Sequence, residues 1–307
     1  MKILFITSNR LGDAVLSSGV LSYLLTTYPK AEFTIVHGAY CGDLFTAVPR
    51  LEKLIVLKKQ KFNKHWLMLY LKCFTTRWDL VVDLRNSIVS RLLFSKETKI
   101  LSKRLEKLHK VEENASILGI DYVPEPEIWI DPKVEKEVNQ LIPDNIPIIA
   151  ICPTANWVHK QLPMESWLTL IPMLLKDGFS IMILSSAEEQ NQLEPLFQII
   201  PTDKLIPVIG KNIQFACACI KKAKAYIGND SGLMHIAAAL KVPTIGLFGP
   251  GYPEHYAPYG THCAVVKTKE SREELLKILA KGIPEKHLMH SIRPEDIFTA
   301  VMGIMEN

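Results

Sequence analysis

The sequence predicts an α/β protein made of two Rossmann-like domains whose parallel sheets face a central cleft. Short β-branched runs alternate with longer helical patterns throughout the 307 residues, and this alternation is typical of parallel strands covered by helices. The chain has the length of two domains of about 150 residues each, and its hydrophobic content of 48% is enough to give both domains a core. Ligands of such sheets bind beyond the carboxyl ends of the strands, so the loops at those ends are the candidates for function.

The predicted strands follow one another along the whole chain. They are expected at residues 2–7, 32–37, 53–57, 79–83, 147–152, 180–184, 205–208, 225–228 and 243–247. The apolar run of the first strand is too short for a signal peptide and lacks a small-residue cleavage site. We therefore interpret it as a strand.

A proline-rich stretch separates the two halves. Between Pro124 and Pro147, prolines bracket one polar helix at residues 133–141, and the alternation of strands and helices starts again after it. The predicted parts are an N-terminal domain at residues 1–142, a C-terminal domain at 143–290 and a terminal segment at 291–307. Pro294 and the two acids after it predict a helix in the terminal segment, and we expect that helix to pack back on the N-terminal domain.

Composition narrows the classes of protein. No apolar run approaches the roughly 20 residues that a membrane-spanning helix needs, so none is predicted. The six cysteines show neither a CxxC pair nor metal-ligand spacing. We therefore expect free thiols in a reducing cytoplasm, with no disulfide and no structural zinc.

The charge distribution points to an anionic partner. The net charge is only +4, but residues 57–110 hold 14 Lys or Arg against 4 Asp or Glu, which is 14 − 4 = +10. Nucleic acid, anionic lipid headgroups and a phosphorylated glycolipid are all candidates on this evidence. A merely solvated basic surface is the alternative.

The first motif is the junction of strand, loop and helix at residues 7–13, Thr-Ser-Asn-Arg-Leu-Gly-Asp. Gly12 permits a tight turn or a close ligand approach, and Asp13 ends the loop beyond a strand. Asp13 is either a general base that faces the cleft or the N-cap of the following helix.

The second motif runs from Tyr226 to His235 and continues to the Phe-Gly-Pro turn at residues 248–250. It describes a buried strand, a polar turn and a helix whose free backbone N–H groups form an anion site that would fit a diphosphate. The alternative is an ordinary helix in which Asp230 or Ser231 serves as N-cap. His235 lies on an alanine-rich helix face, where a hydrogen-bonded core histidine and a ligand contact are both open.

The third motif is the polar loop after the first strand of the second half, residues 152–163. Its lysine, Lys160, could clamp a phosphate as a point charge or be an ordinary surface lysine. Thr154 and Asn156 belong to the same loop. Farther on, Glu188 or Glu189 follows a strand in the zone where an acid would accept the ribose hydroxyls of a nucleotide, although exposed glutamates are common at helix starts.

These motifs together resemble the heptosyltransferase family, glycosyltransferase family 9. Residues 9–36, NRLGDAVLSSGVLSYLLTTYPKAEFTIV, resemble the opening of the family, and Asp230-Ser-Gly-Leu-Met-His235 resembles its Asp-Ser/Thr-Gly-Leu-x-His signature. Lys160 and Pro163 are in register with the family's phosphate-binding loop, but Gln161-Leu162 stand where Arg or His and Trp are usual. The matches cover nearly the entire chain.

The resemblance implies a GT-B fold with an acceptor-binding first domain and a nucleotide-sugar-binding second domain. It implies Asp13 as the catalytic base, with Arg10 and Gly12 on the acceptor side. The residues that it implies at the donor are Thr154, Asn156, Lys160, Glu188, Glu189, Asp230, Ser231, Gly232, Leu233 and His235. The implied reaction is inverting transfer of heptose from ADP-heptose to the lipopolysaccharide inner core.

Absent motifs complete the expectation. No Asp-x-Asp occurs in the sequence, so the helix N-terminus and Lys160 must neutralise the leaving group, and we expect neither a metal nor another cofactor. No GxGxxG follows the first strand and no GxxxxGK[ST] occurs, which argues against a dinucleotide oxidoreductase and a P-loop NTPase.

The expected partners are a nucleotide sugar, an anionic glycolipid and the cytoplasmic face of the bacterial inner membrane, and not nucleic acid. A transferase for another nucleotide sugar, an inert GT-B-like binding protein and a nucleotide-sugar epimerase remain the alternatives.

Overall fold

The computed structural model describes residues 1–102, 105, 107–282 and 287–306. The chain forms two compact units, Met1–Asp131 and Pro132–Asn307. Within the described residues each unit contains one sheet in which all neighbouring strands pair in parallel. The predicted architecture of two Rossmann-like α/β domains is therefore confirmed.

The sheet of the first unit has the strand order β3-β2-β1-β4-β5. Its strands are β1 Lys2–Ile6, β2 Glu32–Gly38, β3 Leu51–Leu57, β4 Trp78–Asp83 and β5 Ser95–Ile100. Its helices are α1 Leu11–Leu16, α2 Ser18–Thr27, α3 Lys64–Cys73, α4 Val89–Leu92 and α5 Lys110–Ala115. The central strand β1 is buried from Ile3 to Ile6 because helices cover both faces of a parallel sheet.

The sheet of the second unit has the order β11-β10-β9-β6-β7-β8. Its strands are β6 Ile148–Cys152, β7 Ser180–Ser185, β8 Leu205–Ile209, β9 Ala225–Asn229, β10 Thr244–Phe248 and β11 Cys263–Lys267. Its helices are α6 Pro132–Leu141, α7 Met164–Lys176, α8 Glu194–Ile199, α9 Ile213–Ile220, α10 Gly232–Ala239, α11 Pro253–Tyr256, α12 Arg272–Ala280 and α13 Pro294–Met305. The core of this unit lies between the central strands and α7, whose Trp167 and Leu170 are fully buried.

All of the predicted strands are present, and two further strands lie at sheet edges. β5 borders the first sheet and β11 borders the second. The sequence of β5, SKETKI, is mostly polar and its residues are partly or fully exposed, so it has no hydrophobic signature. Edge strands carry this composition because one of their sides faces water.

The division between the units differs from the prediction. The polar helix α6 was expected to end the first domain, but it packs against α9 in the second unit. The buried Val138 anchors α6 there, and its Glu135 binds Lys221 at 2.7 Å. The second unit therefore begins at Pro132 and not after Ile142.

The C-terminal helix also differs from the prediction. α13 packs on α7 and on strands β10 and β11. Its Ile297 and Val301 are fully buried in the core of the second unit, because residues four apart form one apolar stripe on a helix. The expectation that this segment packs back on the N-terminal domain is corrected accordingly.

The strand orders define a switch point in each sheet. The chain builds outward from β1 through β2 to β3 and then returns to the other side of β1 with β4. In the second sheet it builds from β6 to β8 and returns to the other side of β6 with β9. Loops diverge at such points and leave a crevice at the carboxyl ends of the strands, where α/β proteins bind ligands. None of the helices in the described part of the chain combines the length and the apolar composition needed to cross a bilayer.

Candidate functional site

The predicted donor residues of the second unit cluster at the switch point between β6 and β9. The loop after β6 carries Lys160, and the turn after β9 carries Asp230 and Ser231. The two strands are paired with Cys152 opposite Gly228. Both loops therefore leave the sheet at the same level, which brings residues together that are distant in sequence.

An ion pair joins the two loops. The Nζ of Lys160 contacts Oδ2 of Asp230. The side chain of Lys160 is 27% exposed and that of Asp230 is 9% exposed, so the pair is largely shielded from water. Trp157 lies with its ring centre 6.0 Å from the same Nζ. The sequence predicted both charged residues for this site but not their pairing.

The turn before α10 leaves the start of that helix without a side-chain cap. Ser231 is the N-cap residue with an extended backbone, but its hydroxyl forms no capping hydrogen bond. Instead the hydroxyl is buried next to the phenol of Tyr226, and burial raises the pKa of that phenol well above its ordinary value. The carboxylate of Asp230 binds Lys160. The N–H groups of Gly232 and Leu233 therefore start a helix whose positive end is not neutralised by a cap, and such an end favours anions.

The buried Asn229 holds the two loops in place. It is fully buried at the end of β9, where its Oδ1 accepts a hydrogen bond from the backbone of Leu162 at 3.0 Å. Its Nδ2 donates to the carbonyl of Pro153 at 2.7 Å. One side chain thus fixes both ends of the loop that carries Lys160. Asn229 was not among the predicted site residues, although a polar residue at the end of an apolar strand, directly before Asp230, is a signal for such a role.

A second tight contact comes from the loop after β10. A Cβ at Gly251 would lie 2.8 Å from Oδ2 of Asp230. Because that distance is too short for two atoms that are not bonded, a side chain at this position would push the Asp230 carboxylate away, and the glycine lets the loop approach the ion pair without moving it. The predicted Phe-Gly-Pro turn therefore borders the same site.

The remaining predicted donor residues differ in exposure. Thr154 is buried, and its carbonyl lies 3.5 Å from the thiol of Cys152; Asn156 and Glu188 are exposed. Glu189 accepts hydrogen bonds from Ser186, including one of 2.8 Å from the hydroxyl, which is the behaviour of a local turn residue. His235 is 4% exposed in the second turn of α10. Of the two roles that the sequence allowed, a core histidine or a ligand contact, this burial is typical of the core histidine.

In the first unit, Asp13 lies in the first turn of α1, beyond the end of β1. The N-cap of α1 is Arg10, which is exposed and has an extended backbone. Asp13 is two residues inside the helix and partly exposed, so it is not the N-cap that the sequence left as an alternative. Burial, and to a smaller extent the charge of Asp13, raises the pKa of the Cys41 thiol to about 12. Gly12, between Arg10 and Asp13, is partly buried.

Two polar residues that were not predicted as site residues, Asn9 and Arg85, lie at the switch point of the first sheet, between β1 and β4. Arg85, just after β4, donates from Nη1 to Oδ1 of Asn9 at 2.8 Å. Its guanidinium also lies 4.9 Å from the ring centre of Trp66, and burial lowers its pKa. Gly38 allows the Asn9 loop to come close, since a Cβ there would lie 2.3 Å from Cα of Asn9. A partly buried cation thus stands at the carboxyl edge of this sheet.

The structure therefore groups the predicted residues into two sets. Lys160, Asp230, Ser231 and the start of α10 form one set in the second unit, and Arg10, Gly12 and Asp13 form the other in the first. No three His, Cys, Asp or Glu side chains among the described residues lie close enough to hold a metal ion.

Comparisons with known proteins point to one family. The model of glycosyltransferase family 9 (heptosyltransferase) matches residues 86–280, more than half of the chain. Lipooligosaccharide heptosyltransferase 2 of Haemophilus influenzae is 26% identical over 91% of this chain and 91% of its own length.

Solved structures agree in fold. The glycosyl transferase family 9 structure from Veillonella parvula superposes with a TM-score of 0.81 at 20% identity, over 99% of this chain and 97% of that one. The ADP-heptose lps heptosyltransferase II of E. coli gives a TM-score of 0.78 at 20% identity, over 100% and 99% of the two chains. At 20% identity these superpositions show a shared fold and nothing more specific.

Proposed function

The chain belongs to glycosyltransferase family 9, the heptosyltransferases, and on that premise we propose that it transfers a heptose from ADP-heptose to a sugar hydroxyl of the lipopolysaccharide inner core, with inversion at the anomeric carbon. The observation that carries this proposal is the uncapped start of α10 beside Lys160, at the switch point of the second sheet. The relatives named as heptosyltransferases support the sugar, and the E. coli structure described as an ADP-heptose enzyme supports the nucleotide.

The second unit binds the donor in this proposal. The backbone N–H groups of Gly232 and Leu233 donate to the diphosphate, and Lys160 turns from Asp230 towards the phosphate oxygens. A helix N-terminus supplies about half a positive charge, and the lysine adds a full one. Asp230 stays beside the transferred sugar, and Glu188 or Glu189 accepts from the ribose hydroxyls. Thr154 and Asn156 line the same loop.

The first unit supplies the base. Asp13 accepts the proton of the acceptor hydroxyl. At the same time the hydroxyl oxygen attacks the anomeric carbon, and the bond from that carbon to the diphosphate breaks. One such in-line displacement inverts the anomeric configuration. Negative charge develops on the departing diphosphate, where Lys160 and α10 stabilise it. Arg10 and Gly12 lie on the acceptor side, and we propose that no metal ion takes part.

The acceptor in this proposal is an anionic glycolipid. The excess of basic residues in the first unit fits a phosphate-rich, lipid-anchored acceptor. The enzyme works in the cytoplasm, at the cytoplasmic face of the bacterial inner membrane, as a peripheral protein.

A donor screen with product analysis tests the proposal. The purified protein is offered ADP-heptose and other nucleotide sugars, each with and without a heptose-deficient inner-core acceptor, and the anomeric configuration of the product is read by NMR. We expect transfer with inversion from ADP-heptose only when the acceptor is present. Transfer from another donor would identify a different sugar specificity, release of a modified free donor would indicate an epimerase, and binding without turnover would indicate an inert binding protein.

A further inference from the structure

The first unit exposes an apolar face on α3. His65, Leu69 and Cys73 recur every four residues and are buried, and Leu69 and Cys73 pack in one core with residues of the sheet. Leu67 and Leu71 lie on the side of the helix that faces solvent, 61% and 56% exposed. Leucine at these positions contributes nothing to the core of the unit.

The neighbouring α4 extends this face. Leu69 of α3 and Val89 of α4 are buried in one core cluster, and the two helices pack against each other on the same side of the sheet. Exposed large apolar residues of both helices form what we call the α3–α4 face: Leu67, Met68, Leu71, Phe74, Ile88 and Leu92. Phe62, which is 91% exposed at the turn before α3, and Phe94, 71% exposed after α4, stand at its ends. Contiguous apolar patches of this kind mark interaction surfaces on soluble proteins.

Basic residues surround the α3–α4 face. Residues 58–78 hold six Lys or Arg and no Asp or Glu. These six are Lys58, Lys59, Lys61, Lys64, Lys72 and Arg77, all exposed. None of them forms an ion pair with another described residue, whereas Lys96 nearby is paired with Asp79 at 2.5 Å. Lys103, Arg104 and Glu106, which also belong to the basic segment 57–110, lie outside the described residues.

We propose that the α3–α4 face is a docking surface for an anionic lipid bilayer. Its apolar side chains enter the boundary between headgroups and acyl chains, and the surrounding lysines bind lipid phosphates. An exposed helix with leucine and phenylalanine on one side and lysines beside them is typical of helices that lie in the membrane interface.

Other occupants fit the face less well. A second copy of the same face would oppose six cations with six cations, and the core of a protein interface is generally depleted of lysine. Single-stranded nucleic acid is held by aromatic rings on which bases stack, but most side chains of the α3–α4 face are aliphatic.

The inference deepens the proposed function, because it names the surface by which the enzyme meets the membrane of its acceptor. It is tested without donor or acceptor, so its failure and the failure of the proposed reaction are distinguishable.

The experiment is flotation of the full chain with vesicles of phosphatidylcholine alone or mixed with phosphatidylglycerol. We expect binding to the anionic vesicles that weakens as salt rises, and little binding to neutral ones. The double variant Leu67→Glu/Leu71→Glu should lower the partition coefficient at least about tenfold, because the apolar contact is lost and two carboxylates are placed against an anionic surface. The variant Lys61→Glu/Lys64→Glu should lower it about 25-fold or more, since each lysine contributes about fivefold near an anionic surface.

Matched controls come from the second unit. Leu141→Glu/Ile278→Glu introduces the same two carboxylates at exposed aliphatic residues, 62% and 40% exposed, and Lys176→Glu/Lys281→Glu makes the same charge change as the lysine variant. Both controls should bind like wild type. Circular dichroism confirms folding, and the lysine variant keeps the test decisive if the leucine variant unfolds. Absence of binding to anionic vesicles, or equal binding by the test and control variants, would overturn the proposal. A shift from dimer to monomer in the leucine variant, without a change in vesicle binding, would overturn it in favour of self-association.

Discussion

Replacing Lys160 by alanine is expected to weaken the binding of a nucleoside diphosphate strongly. In the structure the Lys160 ammonium group is held by Asp230, next to the uncapped start of α10. A bound diphosphate would gain this cation as a partner. The substitution removes the only full positive charge that we assign to the phosphates.

The magnitude follows from the environment of the ion pair. Because the Lys160 side chain is only 27% exposed, its bond to phosphate is a shielded, charge-assisted one, and such bonds contribute about 1.5 to 3 kcal/mol. That range corresponds to an increase in Kd of about 10- to 150-fold. Asp230, with 9% of its side chain exposed, lies in the proposal beside the sugar and so close to the phosphate that carries it. Without Lys160 its negative charge would have no partner there. Adding Asp230→Asn to Lys160→Ala should therefore restore part of the lost affinity.

Calorimetric titration with ADP, in buffer free of divalent ions, measures both effects. Wild type, Lys160→Ala and Lys160→Ala/Asp230→Asn are compared, and thermal unfolding verifies that each variant is folded. Lys176→Ala, at an exposed lysine of the same unit, is the matched control and should bind like wild type. If Lys160→Ala stays within about twofold of the wild-type Kd, the phosphate assignment of Lys160 is wrong. If the double variant binds as weakly as the single one, Asp230 does not face the diphosphate.

Three further outcomes are expected. Asp13→Asn should lower the rate of transfer by about 10²- to 10⁴-fold and leave ADP affinity unchanged. Near wild-type turnover would show that Asp13 is not the base and only stabilises the N-terminus of α1. Transfer should survive excess EDTA, and a complete loss that Mg²⁺ or Mn²⁺ restores would refute the metal-free mechanism. Burial raises the pKa of Cys41 from 9.0 to about 12 and that of Cys152 to about 11, so above pH 9 the unfolded chain loses thiol protons that the folded chain keeps. The free energy of unfolding should then fall as pH rises, by about 1.4 kcal/mol per pH unit for each thiol; in urea titrations Cys41→Ala should make this fall less steep, and an unchanged slope would contradict the assignment.

The sequence predicted strands well where they are central and poorly where they lie at an edge. Central parallel strands such as β6 and β9 are buried on both faces, so their sequences are nearly continuous apolar runs. Such a run can be recognised from a short stretch of sequence. β5 has no such run. β11 was missed although Gly260 and the apolar residues after it carried a turn and strand signal.

Local patterns also located the candidate loops, because a strand, a polar turn and a helix start are consecutive in the chain. They could not tell that Asp13 lies inside α1 and that Arg10 is the N-cap. The two residues are three positions apart, and the backbone angles of the turn decide which of them is the N-cap.

By itself, then, the sequence determined the α/β class, the two sheets and the loops that hold Lys160, Asp230 and Asp13. Only the tertiary structure decided that Lys160 pairs with Asp230, 70 residues away in the sequence. It also decided that Asn229 forms hydrogen bonds to the loop that carries Lys160, and that α6 and α13 both belong to the second unit. The physical reason is that these contacts depend on which strands become neighbours and on where long side chains end. Strand order is set by the packing of whole helices on the sheet, and no window of neighbouring residues contains that information.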